Sequence, residues 1–95
     1  MAAYVLANVE VTDAAGFAPY REAVPATIAK YGGRYLARGG TALRIEGTPV
    51  PKRVVLLEFP DLAAARAWLD SPEYKPLAEL RQRTANTDIW VIEGL

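Results

Sequence analysis

At 95 residues the chain has room for one domain spanning residues 1–95, and its 52% hydrophobic content is enough for a packed core. Its 11 Lys and Arg are balanced by 11 Asp and Glu, and the basic residues lie scattered from Arg21 to Arg83. The clustered positive charge that displaces counterions from nucleic acid is therefore missing. With no Cys and no His, the composition excludes a disulfide scaffold, a Ser-His-Asp triad, a thiolate nucleophile, a Cys/His zinc site and axial haem ligation by His or Cys.

The first residues, Met1 to Val5, lack the basic and long apolar regions of a secretory signal. No stretch approaches the roughly 18 apolar residues of a membrane span. The expected location is the cytoplasm, with neither membrane nor nucleic acid as a partner.

From Tyr4 to Val11 the residues alternate, with Val5, Ala7, Val9 and Val11 on one face and Tyr4, Leu6, Asn8 and Glu10 on the other. Period two with β-branched residues predicts a strand whose uniformly apolar face meets helices. Thr12 or Asp13 then caps a helix carrying the stripe Phe17, Tyr20, Val24, Ile28 and Tyr31. Pro25 lacks an N–H and crowds the preceding turn, so a kink or break is expected within residues 21–25. Gly32-Gly33 provides the left-handed stop.

Arg34 to Arg38 reads as a short strand, with a bulge or bend at Gly39-Gly40 and a continuation from Leu43 to Glu46. A hairpin loop at Gly47 to Pro51 leads into Lys52 to Phe59, the most apolar strand and the expected central one. Asp61 caps a second helix bearing Leu62, Ala65, Trp68 and Leu69. Ser71-Pro72-Glu73 restarts it, with Tyr74, Leu77, Leu80 and Arg81 at helical spacing, and Asp88 to Glu93 is the last strand.

Strand, helix, strand, strand, helix, strand predicts an α+β, ferredoxin-like β-α-β-β-α-β sandwich: a four-stranded antiparallel sheet with helices on one face. The other face carries Leu6, Val54 and Leu56, too apolar for water. A second copy stacked across a two-fold axis covers it and makes a dimeric α/β barrel.

Several motifs in this order resemble one family. Tyr31-Gly32-Gly33-Arg34-Tyr35-Leu36-Ala37-Arg38-Gly39-Gly40 is similar to the central signature of the DUF1330 family. Ile45-Glu46-Gly47, Arg53 to Pro60, Ser71-Pro72-Glu73-Tyr74, Val5 to Asp13 and Ile92-Glu93-Gly94 fit as well. The resemblance implies a ferredoxin-like fold in the dimeric α/β-barrel superfamily, which also holds cofactor-free monooxygenases, muconolactone isomerases and stress-responsive barrel proteins. Several of those relatives use a catalytic His, which this chain lacks.

Glu58 closes the aliphatic run Val54 to Leu57 on the face away from the helices. Poor solvation raises a carboxylate's pKa and can make it a base at neutral pH. The structural alternative is an ion pair with Arg38 or Arg34. Arg38, before Gly39-Gly40, either clamps an anion through two hydrogen bonds or pairs with Glu58 or Glu46. Asn8 either orients a ligand or bonds across the dimer barrel. Tyr4, Tyr20, Tyr35, Trp68, Tyr74 and Trp90 are candidate walls of an aromatic-substrate pocket, with core packing favoured for Tyr20 and Trp68 on their helix stripes, and Arg53 and Arg81 read as structural. Two functions follow from these residues. One is a non-catalytic or stress-associated dimer that binds a small molecule without a cofactor. The other is a cofactor-independent enzyme for proton transfer, isomerisation or oxygenation of a small carbonyl or phenolic compound, with Glu58 as base and Arg38 as clamp.

Overall fold

The computed structural model describes residues 1–95. In chain order it contains strand β1 (Ala3–Val11), helix α1 (Ala14–Lys30), strands β2 (Arg34–Arg38) and β3 (Arg53–Phe59), helices α2 (Leu62–Leu69) and α3 (Lys75–Thr84), and strand β4 (Ala85–Glu93). β1 pairs antiparallel with β3 on one side and β4 on the other, while β2 pairs antiparallel with β3, giving the order β2-β3-β1-β4. This is the expected α+β, ferredoxin-like arrangement, with β3 one of the two inner strands.

The alternation of β1 decides the layering. Ala3, Val5, Ala7 and Val9 are buried beneath the helices, whereas Leu6 and Glu10 are exposed on the opposite side. Phe17, Val24 and Ile28 of α1 and Ala65 and Trp68 of α2 close over the first face. They meet Leu57 and Phe59 of β3, and the Phe59 and Trp68 rings lie 5.4 Å apart. The other face has no helix over it, and Leu6, Trp90 and Ile92 stay exposed there.

Both predicted N-caps form. Asp13 Oδ1 accepts from Gly16 N–H at 3.0 Å and Asp61 Oδ1 from Ala64 N–H at 2.8 Å, each worth about 1 kcal/mol. At the end of α1, Gly32 takes φ +79° and its N–H reaches Ala29 O at 3.0 Å. An L side chain disfavours that backbone, which is why glycine stands there.

Pro25 does not break α1, which runs unbroken through both of its prolines. A proline at this position leaves the carbonyl four residues back, on Arg21, without its helical donor. Arg38 supplies the replacement from another element: its Nη2 donates to Arg21 O at 3.0 Å. The lost bond is restored from β2, so the helix continues.

Residues 43–46 form no strand. β2 lies at the sheet edge and ends at Arg38, so the segment has no neighbour to pair with and residues 39–52 make one long connection. Gly39 makes the expected bend at φ +71°, and β2 carries a further irregularity at Leu36: Tyr35 pairs with Leu57 and Ala37 with Leu56, leaving Leu36 unmatched. α3 begins at Lys75, after a turn in which Ser71 Oγ accepts from Tyr74 N–H at 3.1 Å. β4 starts three residues earlier than the sequence pattern suggests, because Ala85 and Asn86 pair with Val11 and Glu10.

Candidate functional site

The sheet divides the predicted site residues into two groups. Strict alternation along β2 puts Arg34, Leu36 and Arg38 on one side. The extra residue at Leu36 reverses this, so Arg34 lies opposite Glu58 while Arg38 lies opposite helix-facing Val55. Arg38 and Glu58 are therefore on opposite faces of the sheet, and no ion pair joins them.

On the bare face Glu58 pairs with Arg34. Its Oε1 accepts from Arg34 Nε at 2.8 Å and Nη2 at 2.7 Å, and the Arg34 side chain is 70% exposed. Asn8 is fully engaged within its own chain: Nδ2 donates to Val50 O at 3.0 Å, and Oδ1 accepts from Lys52 N–H at 2.7 Å. Its amide thus fastens the end of the 39–52 connection to β1. Tyr4 and Trp90 share this face, Tyr4 half-buried beside Gly94 and Trp90 exposed. Glu58 lines neither the cavity between helices and sheet nor the open groove beside it.

A mostly apolar, partly open cavity lies on the other side, between helices and sheet. It measures about 50 Å³ and is walled by aliphatic side chains such as Val5, Val24 and Val55, with Trp68 against it. Its polar wall has one sign. Arg21, Arg38, Arg53 and Arg81 line it, from α1, β2, β3 and α3, and no Asp or Glu does. Three phenols, Tyr20, Tyr35 and Tyr74, complete the polar lining.

These groups are held by specific contacts. The Arg38 guanidinium sits 4.6 Å from the Tyr35 ring centroid, a cation–π contact, while its Nη2 is bound to Arg21 O. Arg53 lies against Gly39, where φ is +71° and an added Cβ would collide with the guanidinium. Tyr20 and Tyr74 share a hydrogen bond between hydroxyls at 3.0 Å. Tyr74 also packs on Trp68 at 4.1 Å between centroids, and Trp68 Nε1 donates to Thr27 Oγ1 at 3.0 Å.

Burial pushes the Tyr20 phenol well above its ordinary 10.0; the Tyr74 hydroxyl adds to the rise and the Arg81 guanidinium opposes it. Burial also raises Tyr35, against the pull of Arg38 and Arg53. Both phenols stay protonated at neutral pH. Among ionisable side chains the walls carry only guanidiniums and phenols, groups that donate hydrogen bonds to an anion and do not accept a proton near neutrality.

Of the predicted residues, the fold brings Tyr35 and Arg38 to this cavity and leaves Glu58, Asn8, Tyr4 and Trp90 on the far side of the sheet. Tyr20, Trp68 and Tyr74, pocket-wall candidates in the sequence with core packing favoured for the first two, line the cavity as well, and so does Arg81, which reads as structural from sequence. A signal existed for Arg81: it follows Tyr74 by seven residues, the same face of a helix, and Tyr74 is almost fully buried.

A family model described as "Domain of unknown function (DUF1330)" matches residues 2–95. No curated protein matches the chain. Among solved structures, a protein of unknown function from Rhodopseudomonas palustris superposes with a TM-score of 0.79 at 19% identity, covering 99% of this chain and 82% of its own. A dimeric ferredoxin-like protein of unknown function from Jannaschia sp. CCS1 gives 0.67 at 15%, covering 100% and 99%. SnoaB, a cofactor-independent oxygenase from Streptomyces nogalater, gives 0.64 at 20%, covering 99% and 92%. At these identities the likeness is one of fold.

Proposed function

The chain belongs to the DUF1330 family, and we propose that it is a homodimer that binds a small molecule in the cavity between helices and sheet, with Tyr35 and Arg38 at the polar wall and no cofactor. The observation that carries this reading is the cavity's composition: an apolar enclosure whose charged groups are all guanidiniums. Pockets of this kind, mostly apolar with a few convergent polar groups, are the usual form of small-molecule sites. A second copy covers the bare sheet face, where Leu6, Trp90 and Ile92 are exposed. The dimeric Jannaschia protein of the same fold supports that assembly.

Binding is favoured over base catalysis because the cavity wall holds no group that accepts a proton at neutral pH. Glu58, the candidate base, lies across the sheet and is paired with Arg34. The likeness to SnoaB keeps cofactor-independent oxygenation as a second reading, in which the substrate supplies its own reactivity and the cavity only positions it.

The test is a thermal-shift screen of small carboxylates, phenols and neutral amides in a Trp90→Phe background, where Trp68 is the sole indole. Ligands stabilise with the logarithm of their saturation. A true ligand raises the melting temperature and changes Trp68 emission, and both effects vanish when Val55→Phe fills the cavity. Stabilisation that persists undiminished in the Val55→Phe protein would place the site elsewhere and refute the proposal.

A further inference from the structure

Arg81 has no partner. Its residue is 8% exposed, its Nε is buried with no hydrogen bond, and neither a side-chain hydrogen bond nor a carboxylate within ion-pair distance is found for the guanidinium. A buried guanidinium N–H without an acceptor costs free energy, because buried polar atoms are as a rule hydrogen-bonded. The other buried polar atom without a partner is Thr87 Oγ1. Both residues line the open groove beside the cavity, and Arg81 also lines the cavity itself. Arg81 therefore stands on the wall that the two spaces share.

The neighbouring groups have the same bias. The hydroxyl pair of Tyr20 and Tyr74 holds two hydrogens, of which one is spent between the two oxygens. No acceptor in the chain takes the other. Unspent guanidinium donors, a free phenol hydrogen and the Thr87 hydroxyl are all complementary to an oxyanion.

The charge of that anion is bounded from the groove side. Glu10 and Asp88 line the groove, with Lys52 beside them, and Glu10 is engaged with Lys52 at 3.6 Å. Neither acid pairs with Arg81. Their field disfavours a multiply charged ligand such as phosphate and leaves a single negative charge as the best match for one guanidinium. Size bounds the rest. Roughly 10–15 Å³ accommodates one water, so a cavity of 50 Å³ takes a group of about four non-hydrogen atoms. A planar carboxylate can accept two parallel hydrogen bonds from a guanidinium, and the aliphatic walls accept a short alkyl body.

We propose that Arg81, with Thr87 on the same groove, is the anchor of a monoanion site, and that the ligand class is a short-chain monocarboxylate whose alkyl end enters the cavity. This rests on the binding function proposed above and names the chemistry that the cavity selects.

The experiment uses the full chain and sodium propionate as the probe, with propanamide as the neutral isostere and sodium chloride and phosphate at equal ionic strength as controls. Melting temperature and Trp68 emission in the Trp90→Phe background are read together. Propionate is expected to raise the melting temperature by several degrees more than chloride, phosphate or propanamide does. Arg81→Met is expected to abolish that excess and, in buffer without carboxylates, to melt at or above the unsubstituted protein, because it removes a buried N–H that has no acceptor. Arg81→Lys keeps the charge but loses the fork, and should retain less than half of the excess.

A propanamide response equal to that of propionate would overturn the carboxylate assignment and leave the binding cavity standing. No Trp68 response to either probe or to any compound of the wider screen would sink the cavity reading as well. An Arg81→Met protein that melts below its parent in carboxylate-free buffer would show that the guanidinium has a partner within the chain, and would overturn the anchor. A propionate excess surviving in Arg81→Met would do the same.

Discussion

The hydroxyl pair of Tyr20 and Tyr74 offers a quantitative check on the cavity's polar wall. Tyr74 is 1% exposed and its oxygen lies 3.0 Å from that of Tyr20. Tyr20→Phe removes one partner and strands the Tyr74 hydroxyl where water reaches only through the cavity. A buried polar group left without its partner costs about 1–3 kcal/mol. Tyr74→Phe strands the less buried Tyr20 and falls at the lower end of that range. Replacing both leaves two apolar rings of nearly unchanged shape, which is close to neutral relative to either single change. The double variant is thus expected to cost about as much as one single variant, a coupling of about 1 kcal/mol or more. Urea unfolding of the four proteins measures it. Losses that add to within about 0.5 kcal/mol would mean that the hydroxyls do not interact. Alkaline pH gives a second readout. The folded state holds the Tyr20 proton more tightly than the unfolded chain does. Stability from this group is therefore complete below pH 10.0 and declines as pH rises above it, by up to about 1.4 kcal/mol per unit for one group. Tyr20→Phe should flatten that decline in part, with Tyr35 contributing the remainder in the same direction.

Glu58→Gln should cost no more than about 1 kcal/mol, because its partner Arg34 is 70% exposed on the edge strand; a loss of about 3 kcal/mol or more would mean that the pair is desolvated by a second copy. Asn8→Ala removes both bonds to the 39–52 connection, costing about 1–2 kcal/mol and speeding tryptic cleavage at Arg44 and Lys52; an unchanged cleavage rate would show that the loop is held otherwise. Light scattering should give about twice the 10.3 kDa chain mass, and Leu56→Glu on the bare face should reduce it to one chain; a monomeric parent protein would refute the dimer.

The fold was legible because its signals are local. The alternation of Tyr4 to Val11, the Asp13 and Asp61 caps and the Gly32 stop each depend on residues within a few positions of one another. The site was less legible because its determinants are not local. Nothing in Arg34-Tyr35-Leu36-Ala37-Arg38 marks Leu36 as an extra residue, and the glycines that follow signal only the bend at Gly39. That one extra residue moves Arg38 from the face of Glu58 to the cavity. Pro25 misled for a related reason: the donor that replaces its missing N–H comes from β2, and helical pattern carries no information about it. Arg81 reads as structural because its spacing of seven from Tyr74 lets it stretch across the sheet edge, and helical spacing carries no sign that its Nε is left buried without a partner.

The order β2-β3-β1-β4 has a consequence for how the protein is made. β1 is synthesised first, yet it lies inside the sheet and depends on partners made much later. Residues 53–59 give it one neighbour, and the other arrives only with residues 85–93, where Ala3 ends opposite Glu93 and Gly94 N–H closes on Ala2 O at 2.7 Å. Until then a nascent chain carries an open strand edge with Val5, Ala7 and Val9 beside it, a template on which another chain can add. Pairing between such distant segments also forms slowly, since the entropy of closing the intervening loop is lost before any contact compensates. A chain stalled before residue 85 therefore keeps that edge open and is the form most exposed to aggregation.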